Sequence, residues 1–228
     1  MSAREQILAN VRRRLGRGPL PEQRVAQLEA RIAAHARNLI PQRALLDRDG
    51  LVALFVQMAE EVGTTFGRVR SRDEIPAAVV AYLKAGGLPL SLTMSPDPAL
   101  AALPWHAAPE LRIARGAAGT ETLVGVTPSF AGVAETGTLV LAGGPERPAT
   151  LNFLPDTHVV ILNAADIVSS YEDALGKLRA SGHDGEFMPR TLNFVTGPSR
   201  TADIALTIVR GAHGPRRLHV VLIERESS

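Results

Sequence analysis

From about residue 50 onward, the chain alternates helical patterns with short apolar runs bounded by glycine, proline and small polar residues. Several runs lack polar alternation, which marks strands covered on both faces. The intervening helices supply the cover, so the pattern predicts an α/β fold with a layered, largely parallel sheet. Strands are expected at 64–69, 88–93, 111–114, 123–127, 137–141, 158–162, 192–196 and 218–223. One helical face runs through Leu51, Leu54, Phe55, Met58 and Val62. A second runs through Ile75, Val79, Val80 and Leu83 to Gly86 and Gly87, opened by a capping-box pattern at Ser71 to Glu74. A third helix is expected over 169–180. The hydrophobic fraction of 45% suffices for one core, and the few Met and aromatic side chains read as core filling.

The start differs. Ser2 and Glu5 fit a capping box, Ile7, Leu8, Val11 and Leu15 form one apolar stripe, and Gly16 can close the helix. A Gly- and Pro-rich linker follows, then a second helix from about Glu22 bearing Val25, Leu28 and Ile32. The expected organisation is an N-terminal helical arm, 1–48, and an α/β domain, 49–228. Ten arginines against Glu5, Glu22, Glu29 and Asp47 give residues 1–48 a charge of +6 within a net +2, so the remainder is at −4. Such an arm can dock an acidic partner or lie as a solvated face on the acidic body of its own fold.

Cysteine is absent, which removes disulfides, thiol nucleophiles, thiolate zinc sites and cysteine-ligated iron–sulfur clusters from this chain. Of 25 cationic side chains only Lys84 and Lys177 are lysine; the rest are arginine, suited to bidentate contact with carboxylate or phosphate. Histidine and carboxylate spacings fit no metal motif, and no phosphate-binding glycine loop or nucleophile elbow is present. No run approaches the length of a membrane span and the start has no secretory pattern, so a cytoplasmic protein without metal, nucleic-acid partner or membrane span is expected.

Three segments concentrate chemistry. In the first, Glu135 precedes Thr136, Gly137 and Thr138 and then a strand; the glycine admits close backbone approach and the hydroxyls can bind ligand oxygens. Glu135 reads as a base, a nucleophile or a ligand-orienting acceptor, or as a group satisfying loop amides. In the second, Gly197 shapes a turn, Ser199 and Thr201 offer hydroxyls, Arg200 offers an anion fork, and Asp203 can fix Arg200. This segment follows a strand, where open α/β sheets place ligands; the alternative is a helix cap at Ser199 with an Arg–Asp pair. In the third, His213 stands between glycines before Arg216, Arg217, Leu218 and His219, and reads as a ligand, a proton carrier or a turn residue.

Together, the runs from Ala134 to Leu141, from Gly197 to Ile204 and from His213 to Val221 resemble the signatures of LUD-domain proteins, with the run from Leu154 to Val160 resembling the strand entry between them. The start, Arg4 to Leu8, is similar to the lactate-utilization protein C branch. The resemblance implies a fold like the ribose-phosphate isomerase, CoA-transferase and formyltetrahydrofolate cyclo-ligase group. It also implies a role in oxidising L-lactate to pyruvate with two iron–sulfur partner proteins, which would hold the clusters this chain cannot. The leading expectation is a non-redox component binding a small anionic metabolite between the Glu135 and Arg200 loops. A stand-alone transferase or isomerase using Glu135, or a scaffold without ligand, are the alternatives.

Overall fold

The computed structural model describes residues 2–16, 18–182, 188–204 and 207–224, with the backbone alone over 201–210. Two units separate at Leu39 and Ile40. The first holds α1 (Ala3–Arg14) and α2 (Glu22–Ala33). The capping box forms: Ser2 Oγ accepts from Glu5 N at 3.3 Å and Ser2 N donates to Glu5 Oε2 at 2.7 Å. Gly16, at φ +62°, ends α1. Neither helix has a buried residue.

The second unit begins with α3 (Arg48–Glu61), β1 (Thr65–Val69), α4 (Ile75–Ala85), β2 (Ser91–Met94) and the short α5 (Pro98–Ala101). Next come β3 (Arg112–Arg115), β4 (Val124–Pro128), β5 (Ala131–Val133), β6 (Thr138–Ala142) and the short α6 (Thr150–Phe153). The remainder is β7 (Thr157–Asn163), β8 (Ile167–Val168), α7 (Tyr171–Ser181), β9 (Leu192–Val195), β10 (Arg200–Ile204), β11 (Thr207–Arg210) and β12 (Arg217–Ile223). Residues 40–48 belong to this unit: Ala44 is fully buried, and Arg48 donates to the carbonyl of Ile167 at 2.7 Å.

Six strands form one parallel sheet in the order β1-β12-β7-β4-β2-β3. The reason β7 and β12 lack polar alternation is visible in their packing. Val159, Ile161, Val221 and Ile223 point to one face, into a cluster with Val79 and Leu83 of α4 and Trp105. Val160, Leu162, Leu218, Val220 and Leu222 point to the other, against Phe55 and Val56 of α3 and Leu139 and Leu141 of β6. A smaller sheet, β8-β5-β6-β9, thus shares the cover of that face with α3. β10 and β11 form an antiparallel hairpin.

Two local readings are corrected. Ser71 makes no side-chain cap; Glu74 instead accepts from Arg70 N at 2.9 Å, holding the tight turn before α4. Ser199 caps no helix, because the chain after it extends into β10. The aromatic side chains are also not all core: Phe153 and Phe194 are 44% and 43% exposed.

Candidate functional site

The site is assembled on the last turn of α3. That helix ends with Gly63 at φ +93°, where Gly63 N donates to Glu60 O and Thr64 N to Ala59 O, a paired closure that satisfies two terminal carbonyls. The Val62 carbonyl is left pointing outward, and the Arg200 guanidinium donates to it. A cation at this end also complements the helix dipole.

Gly137 fits against the same turn. Its φ is +64°, and a Cβ there would lie 2.3 Å from the backbone nitrogen of Ala59, so no side chain is compatible with the contact. Around it, Thr138 Oγ1 lies 2.7 Å from Thr136 Oγ1, 2.9 Å from the Tyr171 hydroxyl and 2.7 Å from Thr196 Oγ1. The hydroxyl cluster therefore ties the Glu135 loop to the Arg200 loop. Glu135 itself is buried and faces the start of α7: its Oε1 accepts from Tyr171 N at 3.2 Å, while its backbone carbonyl accepts from Arg43 at 3.0 Å. A carboxylate on the first turn of a helix is electrostatically favoured.

Ser199 joins the two remaining turns. Its amide donates to Pro215 O at 2.8 Å, its carbonyl accepts from Gly211 N at 3.1 Å, and its Oγ accepts from His213 N at 3.3 Å. Gly197, Ser199, Arg200 and His213 consequently line one cavity of about 400 Å³ whose apolar side is Phe153 and Phe194. Glu135, Thr136, Gly137 and Thr138 do not line it; they reach it through Thr196. The side chains of Thr201 and Asp203 lie outside the described residues. The cavity follows the carboxyl end of β9, yet it sits at the amino ends of β1 and β12 in the main sheet, since Val62 precedes β1 and Pro215 precedes β12. The loop at 197–200 thus follows a strand's carboxyl end in the small sheet and lies at strand amino ends in the large one.

Two buried histidines stand behind this edge. His158 Nε2 lies 2.7 Å from Thr127 Oγ1, and burial alone lowers its pKa to about 3. His219 Nδ1 lies 2.8 Å from Thr65 Oγ1, its ring stacks on Tyr82 at 3.7 Å, and burial lowers its pKa to about 4. Both imidazoles are neutral at neutral pH. Among the described residues, no group of three or more His, Asp or Glu side chains could hold a metal ion. No helix among them is long and apolar enough to cross a membrane.

Sequence reasoning did not single out Tyr171, Phe153 or Phe194. Tyr171 follows the α7 cap, Ser170, and its distance in sequence from Glu135 hides their contact. The exposed aromatic pair carries no local signal at all.

Lactate utilization protein C from Geobacillus sp. (strain WCH70) is 36% identical over 100 residues, covering 44% of this chain and 42% of that protein. The protein of the same name from Bacillus licheniformis is 35% identical over 101 residues, with 44% and 42% covered. The matches therefore span less than half the length of these curated relatives. The crystal structure of a DUF162 family protein from Deinococcus radiodurans shares the fold, with a TM-score of 0.57 at 22% identity over 78% of this chain and 99% of that one. The LUD domain model matches residues 52–223, most of the chain, and the protein belongs to the LUD-domain family.

Proposed function

We propose that the chain is a non-redox component of L-lactate utilization, acting with two iron–sulfur partner proteins in the oxidation of lactate to pyruvate and binding a small anionic metabolite beside Arg200. The pathway reading is supported by the relatives named lactate utilization protein C. The division of labour is supported by the absence of cysteine, which leaves this chain no thiolate to hold a cluster.

One observation carries the binding reading. The Arg200 guanidinium, anchored on the Val62 carbonyl, shares a cavity with Ser199, His213 and the two exposed phenyl rings. A 2-hydroxy or 2-oxo acid matches that wall: its carboxylate takes the remaining guanidinium donors, its oxygen substituent takes Ser199 or His213, and its methyl group takes the apolar side.

Calorimetric titration with L-lactate and pyruvate, on the wild type and on Arg200→Lys, tests this. Lysine keeps a cation at the end of α3 but loses the fork, so the fold survives and affinity falls by roughly tenfold to a hundredfold, the worth of a charge-assisted contact. Dye-linked lactate oxidation by the two partners, with and without the chain, tests the assembly. Failure of both acids to bind, with oxidation unchanged on adding the chain, would remove the reading.

A further inference from the structure

A second cavity lies on the other side of Arg200, at the amino ends of β1 and β12 and under the end of α4. Its volume is about 270 Å³, and its walls include Arg200, Arg216, Arg217, Tyr82 and Thr65. We infer that this cavity is a binding site for a small dianion of the phosphate class, either inorganic phosphate or the phosphoryl group of a small phosphomonoester. The inference is independent of the lactate reading and concerns residues that reading does not use, Arg200 excepted.

Charge selects the class. Three guanidinium groups border the cavity, and among the described residues no acidic one lines it. Among the described residues, the carboxylate paired with one of them is Asp156, whose Oδ1 lies 3.6 Å from Arg216 Nε. Three positive charges against one negative leave about +2, which a phosphate dianion neutralises and a monocarboxylate does not. Arg217 makes no ion pair among the described residues and is exposed, so its fork is available to a ligand.

Position adds to charge. Arg217 and His219 are two residues apart on β12 and so project to the same face of the sheet as Thr65 and Tyr82. His219 stacks on Tyr82 with ring planes 9° apart, which fixes the phenol at the cavity wall. Burial raises the Tyr82 pKa above its ordinary value, so the hydroxyl stays protonated and can donate to an anion. Arg216 is seated by its own turn: a Cβ at Gly211 would lie 2.2 Å from Arg216 Cγ, space that only glycine leaves free. Guanidinium forks, a phenol donor and a volume too small for a large ligand together describe a pocket for a phosphoryl group with at most a short organic body.

The test is calorimetric titration of the full chain with inorganic phosphate, glycerol phosphate and acetate at low ionic strength. Phosphate and glycerol phosphate are expected to bind at one site, with acetate at least about tenfold weaker. Stronger binding of glycerol phosphate than of phosphate identifies the ester as the preferred source, and the reverse identifies the free ion. Arg217→Gln should weaken phosphate about tenfold or more with an unchanged melting temperature, and Arg217→Lys should restore part of the loss. L-lactate binding, measured in the same variants, should not move, which separates this site from the cavity beside His213. The inference is overturned if phosphate fails to bind at millimolar concentration, if acetate displaces bound phosphate equally well, or if Arg217→Gln binds phosphate like the wild type.

Discussion

Glu135 is the residue whose chemistry and whose setting pull apart. In sequence, a carboxylate beside two threonines and a glycine reads as a base, a nucleophile, a ligand-orienting acceptor or an acceptor for loop amides, and its oxygen is engaged by the first amide of α7. Glu135→Gln keeps an acceptor and removes the charge, so a loss of about 0.5–1 kcal/mol is expected from the helix dipole alone. Glu135→Ala leaves the amide without its acceptor and should cost about 1–3 kcal/mol. In a chain of this size each kcal/mol lowers the melting temperature by roughly 2–4 °C, so the two variants are separable by thermal melting. A loss of lactate binding in Glu135→Gln with no change in melting would instead put the carboxylate at the ligand. The residues of the site were legible where glycine and hydroxyls cluster, as at Gly137 and Ser199. Their partners were not, because Tyr171, Val62 and Arg43 reach them only through tertiary packing.

Elements long enough to show a period were readable from sequence, and the shortest ones were not. β7 and β12 each run seven residues with both faces apolar, and α3 and α4 carry full helical stripes. β5 has three residues and β8 two, too few to display any period, so of the second sheet only β6 and β9 were readable. The β10–β11 hairpin was hidden by a Ser-Arg-Thr-Ala-Asp run that equally fits a helix start. The same scale holds two predictions. Gly137→Ala should destabilise by at least about 2 kcal/mol, combining a left-handed conformation with a backbone clash against α3, and should lower the denaturant midpoint accordingly. Deleting residues 1–21 removes α1 and the linker; the Ile40–Ser228 unit should melt unchanged, while assembly with an acidic partner weakens and the difference shrinks as salt rises. Normal assembly of the truncated chain at low salt would make α1 a solvated helix and no more.

Across the whole molecule, the two buried histidines tie stability to pH. Their pKa values in the fold, about 3 for His158 and about 4 for His219, lie below the roughly 6.5 of an unfolded histidine. Between those limits the unfolded chain binds protons that the folded one does not, so stability is full above about pH 6.5 and falls as pH drops. Each histidine contributes a slope approaching 1.4 kcal/mol per pH unit, and urea denaturation should show a combined loss of about 2–3 kcal/mol from pH 6 to 5. His219→Phe, which preserves a ring against Tyr82, should roughly halve that slope; no loss between pH 7 and 5 would mean the imidazoles are charged in the fold. The parallel topology itself was readable from apolar patterning, but strand order was not, since nothing local says that β12 inserts between β1 and β7. That insertion bears on how the protein comes into being. β1 has β12 as its neighbour in the sheet, and Thr65 meets His219 across 154 positions of sequence. At ribosomal rates of about 5–20 residues per second, roughly 8 to 30 seconds pass between the synthesis of these two partners. During that interval β1 has no strand to pair with and β7 lacks one of its two, so the nascent chain presents bare apolar edges of the kind that chaperones hold and that neighbouring nascent chains can stick to. The sheet can be completed only once residues 217–223 have been made.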